Sequence, residues 1–147
     1  MEIYERHSND SEIIIIGIKD QGALFADQLC QEIHKLSPLK CTQAQMSLNK
    51  VKPTSADVQS NIELSTLKNK SVLLVDDVAN SGKTMFYALG GLMKATPKSI
   101  ETVVLVERLH KRFPVEVTFV GMKLATTIKE HIEVKLNGQN DWTVELK

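Results

Sequence analysis

Two cysteines in 147 residues, Cys30 and Cys41, are too few for a disulfide scaffold and show no metal-ligand spacing. They read as core thiols of a chain kept in a reducing compartment. Charge of one sign is also lacking, because eighteen basic residues face eighteen acidic ones and the formal net charge is zero. General nucleic-acid binders work by neutralising phosphates, so a balanced chain argues against that class while leaving room for a local basic patch. RNA as a partner therefore draws no support from net charge. No apolar run nears the ~18 residues of a membrane span. The opening residues Met1–Asp10 are too charged for the apolar segment of a signal peptide. The expectation is a cytoplasmic protein with no membrane partner. Internal repeats, low-complexity tracts and linkers are absent too, and the length suits a single domain over residues 1–147.

What the chain does have is a set of short β-branched runs. Glu12–Ile18, EIIIIGI, is apolar without alternation, as in a strand covered on both faces. The segment Ala23–Leu36 then places Leu24, Phe25, Leu29, Ile33 and Leu36 at helical spacing, and Ser37–Pro38 stops it. Cys41–Asn49 alternates weakly and predicts a second strand. Lys50–Leu67 has no sustained period and predicts a long loop with a short hairpin strand near Asn61–Leu64. Long loops in compact domains often act as lids, and Lys50 and Lys52 would suit one closing over phosphate.

Ser71–Val78, Ser99–Glu107 and Val115–Met122 predict three more strands, with a helix over Gly82–Ala95 between the first two. Gly90–Gly91 inside that helix marks close packing or a helix end. His131–Leu136 and Trp142–Leu146 alternate at period two around a turn cluster, so they read as an antiparallel pair. The fold class is α/β: a doubly wound, mostly parallel twisted sheet with helices on both faces and a small antiparallel C-terminal pair. In such sheets ligands bind beyond the carboxyl ends of the strands. The turns starting at Lys19, Asp76 and Glu107 would then converge on one crevice.

The stretch SVLLVDDVANSGKT, Ser71–Thr84, carries the most chemistry. Two acids, Asp76 and Asp77, precede a small-residue loop. A Walker A loop needs a Gly five residues before the Gly of GKT, and here that position is Asp77, so a P-loop is rejected. A receiver domain would carry its acidic pair after the first strand, where this chain has GIKDQG. The loop Ala79–Thr84 still suits an anion: Ser81 and Thr84 offer hydroxyls, Gly82 lets the backbone approach, and a helix start supplies free N–H groups. The rival reading is an ordinary cap by Asn80 or Ser81. The acids either hold a metal that bridges to the phosphate or grip another part of the same ligand. A ribose 5-phosphate satisfies both, with Asp76 and Asp77 on the vicinal hydroxyls, directly or through Mg²⁺, and the loop on the phosphate.

The block VLLVDDVANSGKT resembles the signature of type I phosphoribosyltransferases, and its flanks are similar to the uracil phosphoribosyltransferases that double as pyrimidine-operon attenuators. The resemblance runs from about Glu12 to Leu146. It implies transfer of 5-phosphoribosyl from PRPP to a nucleobase, a pyrimidine such as uracil, with release of pyrophosphate and with Mg²⁺ as cofactor. By that resemblance Asp76 and Asp77 are the catalytic pair, and Ala79, Asn80, Ser81, Gly82, Lys83 and Thr84 hold the 5-phosphate. Lys19, Asp20 and Gln21 form the pyrophosphate loop, where the family often has a non-proline cis peptide. Asp76, Asp77 and Glu107 serve the metal. Met122, Lys123 and Leu124, within a hood of Met122–Thr127 and the N-terminal segment, face the base. A homodimer is also implied. Gln21 stands where the attenuator relatives have a basic residue, so a PRPP-sensing regulator without catalysis is the alternative.

The remaining polar residues read more plainly. His110, Lys111 and Arg112 form a solvated charge cluster, and His7, His34 and His131 are surface or edge residues. Trp142 is a packing residue rather than a stacking platform.

Overall fold

The computed structural model describes residues 1–49, 58–125, 130–137 and 141–147. Lys50, Lys52 and Thr127, named above for a lid and a hood, lie outside the described residues. A short helix α1 (Glu2–Arg6) leads into β1 (Glu12–Ile18), α2 (Gln21–Leu36) and β2 (Lys40–Ser47). After them come β3 (Gln59–Ser60), a 3-10 turn over Leu64–Leu67, β4 (Ser71–Ala79), α3 (Lys83–Leu92) and β5 (Ser99–Arg108). The chain closes with β6 (Phe119–Leu124), β7 (Ile132–Leu136) and β8 (Trp142–Leu146).

Six strands form one sheet in the order β3-β2-β1-β4-β5-β6, parallel except for β3, and β7 pairs antiparallel with β8 in a second sheet. The reason for unbroken apolar runs is visible in the core. Alternate residues of each strand point to opposite faces, and both faces are covered. Ile13, Ile15, Leu73 and Val75 meet Phe25, Ala26, Cys30 and Ile33 of α2. Ile14, Ile16, Val72 and Leu74 meet Met85, Ala88 and Leu92 of α3. Leu24 and Leu36, assigned to the apolar stripe of α2, are exposed instead. The small residues Ala26 and Cys30 take the face because α2 lies close to the sheet.

The strand expected from Val115 begins only at Phe119. Val115 and Val117 are buried, but the backbone before β6 is held by one side-chain and one main-chain bond: Thr102 Oγ1 donates to the Glu116 carbonyl at 2.6 Å, and the Thr118 N–H donates to the Thr102 carbonyl at 3.0 Å. Trp142 packs edge-on against Phe25 with ring centroids 6.0 Å apart. At Gly91 an added Cβ would stand 2.7 Å from Val58 Cγ1, so this Gly marks close packing one residue before α3 ends.

The N-terminal segment does not reach the carboxyl edge of the sheet. Ile3 and Tyr4 pack on the α2 face, and His7 is buried rather than at the surface, bonded to Asp10 Oδ2 at 2.8 Å and Glu101 Oε2 at 2.7 Å. Asp10 also accepts from Lys98 Nζ at 2.5 Å and Ser71 Oγ at 2.7 Å, while Glu12 accepts from Lys70 Nζ at 2.8 Å and Thr42 Oγ1 at 2.6 Å. The Lys98 ammonium, then His7 and Ser71, hold the Asp10 carboxyl far below its usual range. Lys70 and then Thr42 hold Glu12 at about 2, against an ordinary value of 4.5.

Such depressed carboxylates stabilise the fold fully above their ordinary range and lose that contribution as pH falls toward the folded value. Melting temperature should therefore drop as pH is lowered from about 4.5 to about 2 for the Glu12 share, and further for Asp10. Lys70→Met, which removes the main partner of Glu12, should flatten that slope in thermal melts. An unchanged slope would mean that the pair does not set the acid sensitivity.

Candidate active site at the carboxyl edge of the sheet

The chain leaves β1 toward β2 on one side and leaves β4 toward β5 on the other, so a crevice opens beyond the ends of β1 and β4. A cavity of about 570 Å³ occupies this crevice, lined by Gln21, by residues Asp76 through Met85, and by His131 through Lys135.

Asp76 is buried to 4% exposure at the end of β4. Gly22 explains how α2 fits above it. A Cβ on Gly22 would stand 2.9 Å from Asp76 Oδ1 and 2.9 Å from the Val75 carbonyl oxygen. With no side chain there, the first turn of α2 presses directly on the acid, and a helix N-terminus favours negative charge. The Asp77 N–H donates to Asp76 Oδ1 at 3.0 Å, and Asp77 itself is half-buried in the cavity wall.

The loop behind the acids is tied from both sides. The Ser81 carbonyl accepts the N–H groups of Arg112 and Phe113, each at 3.0 Å, and Ser81 Oγ accepts the Lys83 N–H at 3.3 Å. Gly82 has φ +80°, the left-handed region where a side chain is strained, and it is the cap residue of α3. It has no side chain with which to cap, and the first residues of α3, Lys83 to Met85, line the cavity. The Asn80 Oδ1 is turned instead to Arg108 Nη1, at 3.4 Å. Of the two residues expected as an ordinary cap, Asn80 does not serve, whereas Ser81 does take one first-turn amide, that of Lys83.

Glu107 sits at the end of β5 beside Ala79 in register and is buried. It forms an ion pair with Lys111, and Lys123 Nζ lies 3.7 Å from its Oε2. Lys111 therefore does not belong to a solvated cluster with His110 and Arg112: it returns over Glu107, next to the Gly82 loop. Lys19 and Asp20 are joined by a non-proline cis peptide bond and are exposed, and the Lys19 N–H donates to the Met46 carbonyl at 2.8 Å. Of these three loop residues Gln21 lines the cavity, and its Oε1 accepts the Leu136 N–H at 3.1 Å.

The structure brings Asp76, Asp77, the whole loop Ala79–Thr84 and Gln21 together in one wall. It does not bring Met122, Lys123 and Leu124 there. They lie on β6, with Met122 and Lys123 exposed. The rest of the lining is β7 and the preceding His131, which is exposed as expected of an edge residue. The available signal was the period of two: Ile132, Val134 and Leu136 are buried, and the polar residues between them are less so.

Residues 1–139 match the phosphoribosyl transferase domain family. The chain is 29% identical to the bifunctional protein PyrR of Pediococcus pentosaceus over 99% of this chain and 87% of that protein. It is 34% identical to the bifunctional protein PyrR of a Synechocystis species, over 99% and 85%. Among solved structures, hypoxanthine phosphoribosyltransferase of Trypanosoma cruzi complexed with the product IMP superposes with a TM-score of 0.71 at 17% identity, over 84% of this chain and 68% of that one. The purine phosphoribosyltransferase of Pyrococcus horikoshii gives a TM-score of 0.61 at 24% identity, over 84% and 78%. Those two likenesses are of fold.

Proposed function

The chain belongs to the phosphoribosyl transferase domain family, and we propose that it moves the 5-phosphoribosyl group of PRPP onto a nucleobase, a pyrimidine such as uracil, releasing pyrophosphate. The observation that carries this reading is one cavity lined on one side by an acid pair and a glycine-capped helix start. The acids suit the 2- and 3-hydroxyls of a ribose, and residues Ala79 to Thr84 suit its 5-phosphate. The bond from C1 to the pyrophosphate oxygen breaks, its electron pair leaves with pyrophosphate, and a ring nitrogen of the base bonds to C1 while its proton passes to solvent.

Positive charge grows on the ribosyl ring as that bond lengthens. Asp76 and Asp77 stand as fixed negative charges beside it, and preorganised electrostatics of this kind usually contributes more to catalysis than any other single effect. The carboxylate oxygens of Asp76 and Asp77 are hard donors that fit Mg²⁺, which when bound offsets charge on the departing pyrophosphate. Glu107 would join that donor set by exchanging its bond to Lys111, which frees a cation beside the phosphate loop. Gln21 and the polar edge of β7 face the remaining space, where the base would enter. A cytoplasmic homodimer completes the reading, and light scattering should give twice the chain mass.

One observation favours a second reading, in which the site senses PRPP without turnover: the Gln21 amide carries no charge and is engaged by β7. Thermal shift with PRPP and Mg²⁺, followed by a screen of bases for pyrophosphate release, separates the two. At a hundredfold excess over Kd, a bound ligand stabilises by about 2.7 kcal/mol, a shift easily read. A shift with turnover on uracil is the expected result. A shift with no turnover on any base moves the choice to the sensor, and no shift overturns both.

A further inference from the structure

Three donors meet at the amino ends of the strands, across the sheet from Asp76. Cys30 and His34 are four residues apart on α2 and so share one helix face. Cys41 is the second residue of β2, opposite Ile13 at the start of β1. The Sγ atoms of Cys30 and Cys41 and a ring nitrogen of His34 all lie within 4.8 Å of one another. The sequence spacing gave no hint of this, because the turn from α2 into β2 creates it.

The sulfurs have only weak contacts. Cys30 Sγ lies 3.8 Å from the Cys41 carbonyl oxygen, and Cys41 Sγ lies 3.9 Å from that of Leu39. His34 Nε2 accepts the Cys41 N–H at 3.2 Å. An acceptor nitrogen offers the same lone pair that an imidazole gives to a metal.

We propose that Cys30, His34 and Cys41 form a site for a thiophilic divalent ion of the zinc type, with three protein ligands and water as the fourth. Thiolate and imidazole donors select such an ion over Mg²⁺, which prefers oxygen. A tetrahedral zinc, with Zn–S about 2.3 Å and Zn–N about 2.0 Å, spaces its ligand atoms roughly 3.5–3.8 Å apart. The cluster reaches that by closing about an ångström, with Nε2 exchanging its bond to the Cys41 N–H for the metal.

Burial pushes both thiols up, Cys41 to about 12, so without an ion they stay protonated and inert. Binding releases two protons. A divalent ion with two thiolates is then neutral, which suits buried sulfurs. His34 is exposed, which leaves an entry path and a place for the water. An ion here would pin the end of α2 to the start of β2, a structural role separate from the crevice.

The test is a titration of the reduced, chelator-stripped full chain with Zn²⁺ against a chromophoric indicator, with Co²⁺ absorption in parallel. One equivalent should bind, cobalt should show a thiolate charge-transfer band in the near ultraviolet, and zinc should raise Tm. Cys41→Ser should weaken binding more than ~100-fold and His34→Gln at least ~10-fold. His34 is exposed, so its variant keeps the fold, which circular dichroism checks. No uptake, uptake without the charge-transfer band, or affinity unchanged in both variants would overturn the site.

Discussion

Asp77→Asn should leave the chain folded and slow phosphoribosyl transfer by about 100-fold or more. The substitution keeps the size of the side chain and removes its charge. Positive charge on the ribosyl ring develops only as the bond to pyrophosphate lengthens, so the missing charge is felt most in kcat. Losing one aligned group of this kind typically costs about 10²–10³ in rate, or roughly 3–4 kcal/mol. Binding of Mg·PRPP should weaken as well, because the hydroxyls lose a charged acceptor. Asp77 is half-buried at the cavity wall, so Tm should move little. Asp76→Asn should differ, since Asp76 is buried, accepts the Asp77 N–H and abuts the first turn of α2. It should lose stability along with activity. Pyrophosphate release and thermal melts of both variants provide the check, and a wild-type rate in Asp77→Asn would contradict the assigned role.

Gly17→Ala should cost on the order of 3 kcal/mol of stability, since overpacking a close-packed interior is expensive. An added Cβ would stand 2.6 Å from Ala23 Cα, 2.7 Å from the Gly22 carbonyl oxygen and 2.8 Å from Ala26 Cβ. Two of those atoms are backbone, so no side chain can turn away and α2 must lift off β1. Because Gly22 is also where α2 meets Asp76, the lift should disturb the acid pair and lower activity in the fraction that stays folded. Gly90→Ala supplies the contrast. Among the described residues no atom beyond the helix's own backbone and the chain neighbours lies within 4 Å of a Cβ there, and the position is inside α3. Replacing a helical Gly by Ala should stabilise by up to ~1 kcal/mol. Urea unfolding of the two variants would separate a steric effect from a general intolerance of Gly substitution.

The central elements were legible because their environment is written in one local pattern. A strand buried on both faces must be apolar through its middle, and Ile13–Ile16 of β1 and Val72–Val75 of β4 are, so their spans could be read almost to the residue. The acid pair and the loop after β4 are contiguous in sequence, which made the fold's main crevice readable as well. What was missed depends on contacts between distant segments. His7 looks like a polar residue in a charged leader, and only its bond to Glu101 shows why it is buried. Lys111 looks solvated until β5 ends and the chain turns back over Glu107. β6 starts late because the Thr102 side chain takes a carbonyl that a strand partner would otherwise hold. His131 is the exposed edge residue it reads as, but nothing local says that β7 lines the crevice. Cys30, His34 and Cys41 likewise meet only through a turn whose path is set by the sheet.

The placement of β7 bears on how acceptor choice can change. Its apolar residues Ile132, Val134 and Leu136 sit in the core beside α2, and Ile132 and Val134 border the cavity together with the polar His131, Glu133 and Lys135. The polar positions of this single ribbon can therefore be exchanged while its apolar residues, which serve both core and cavity, are kept. Grafting a different ribbon of the same alternation would retune which ring the crevice admits and leave the sugar grip intact, so new selectivity could arise by tailoring a single short segment.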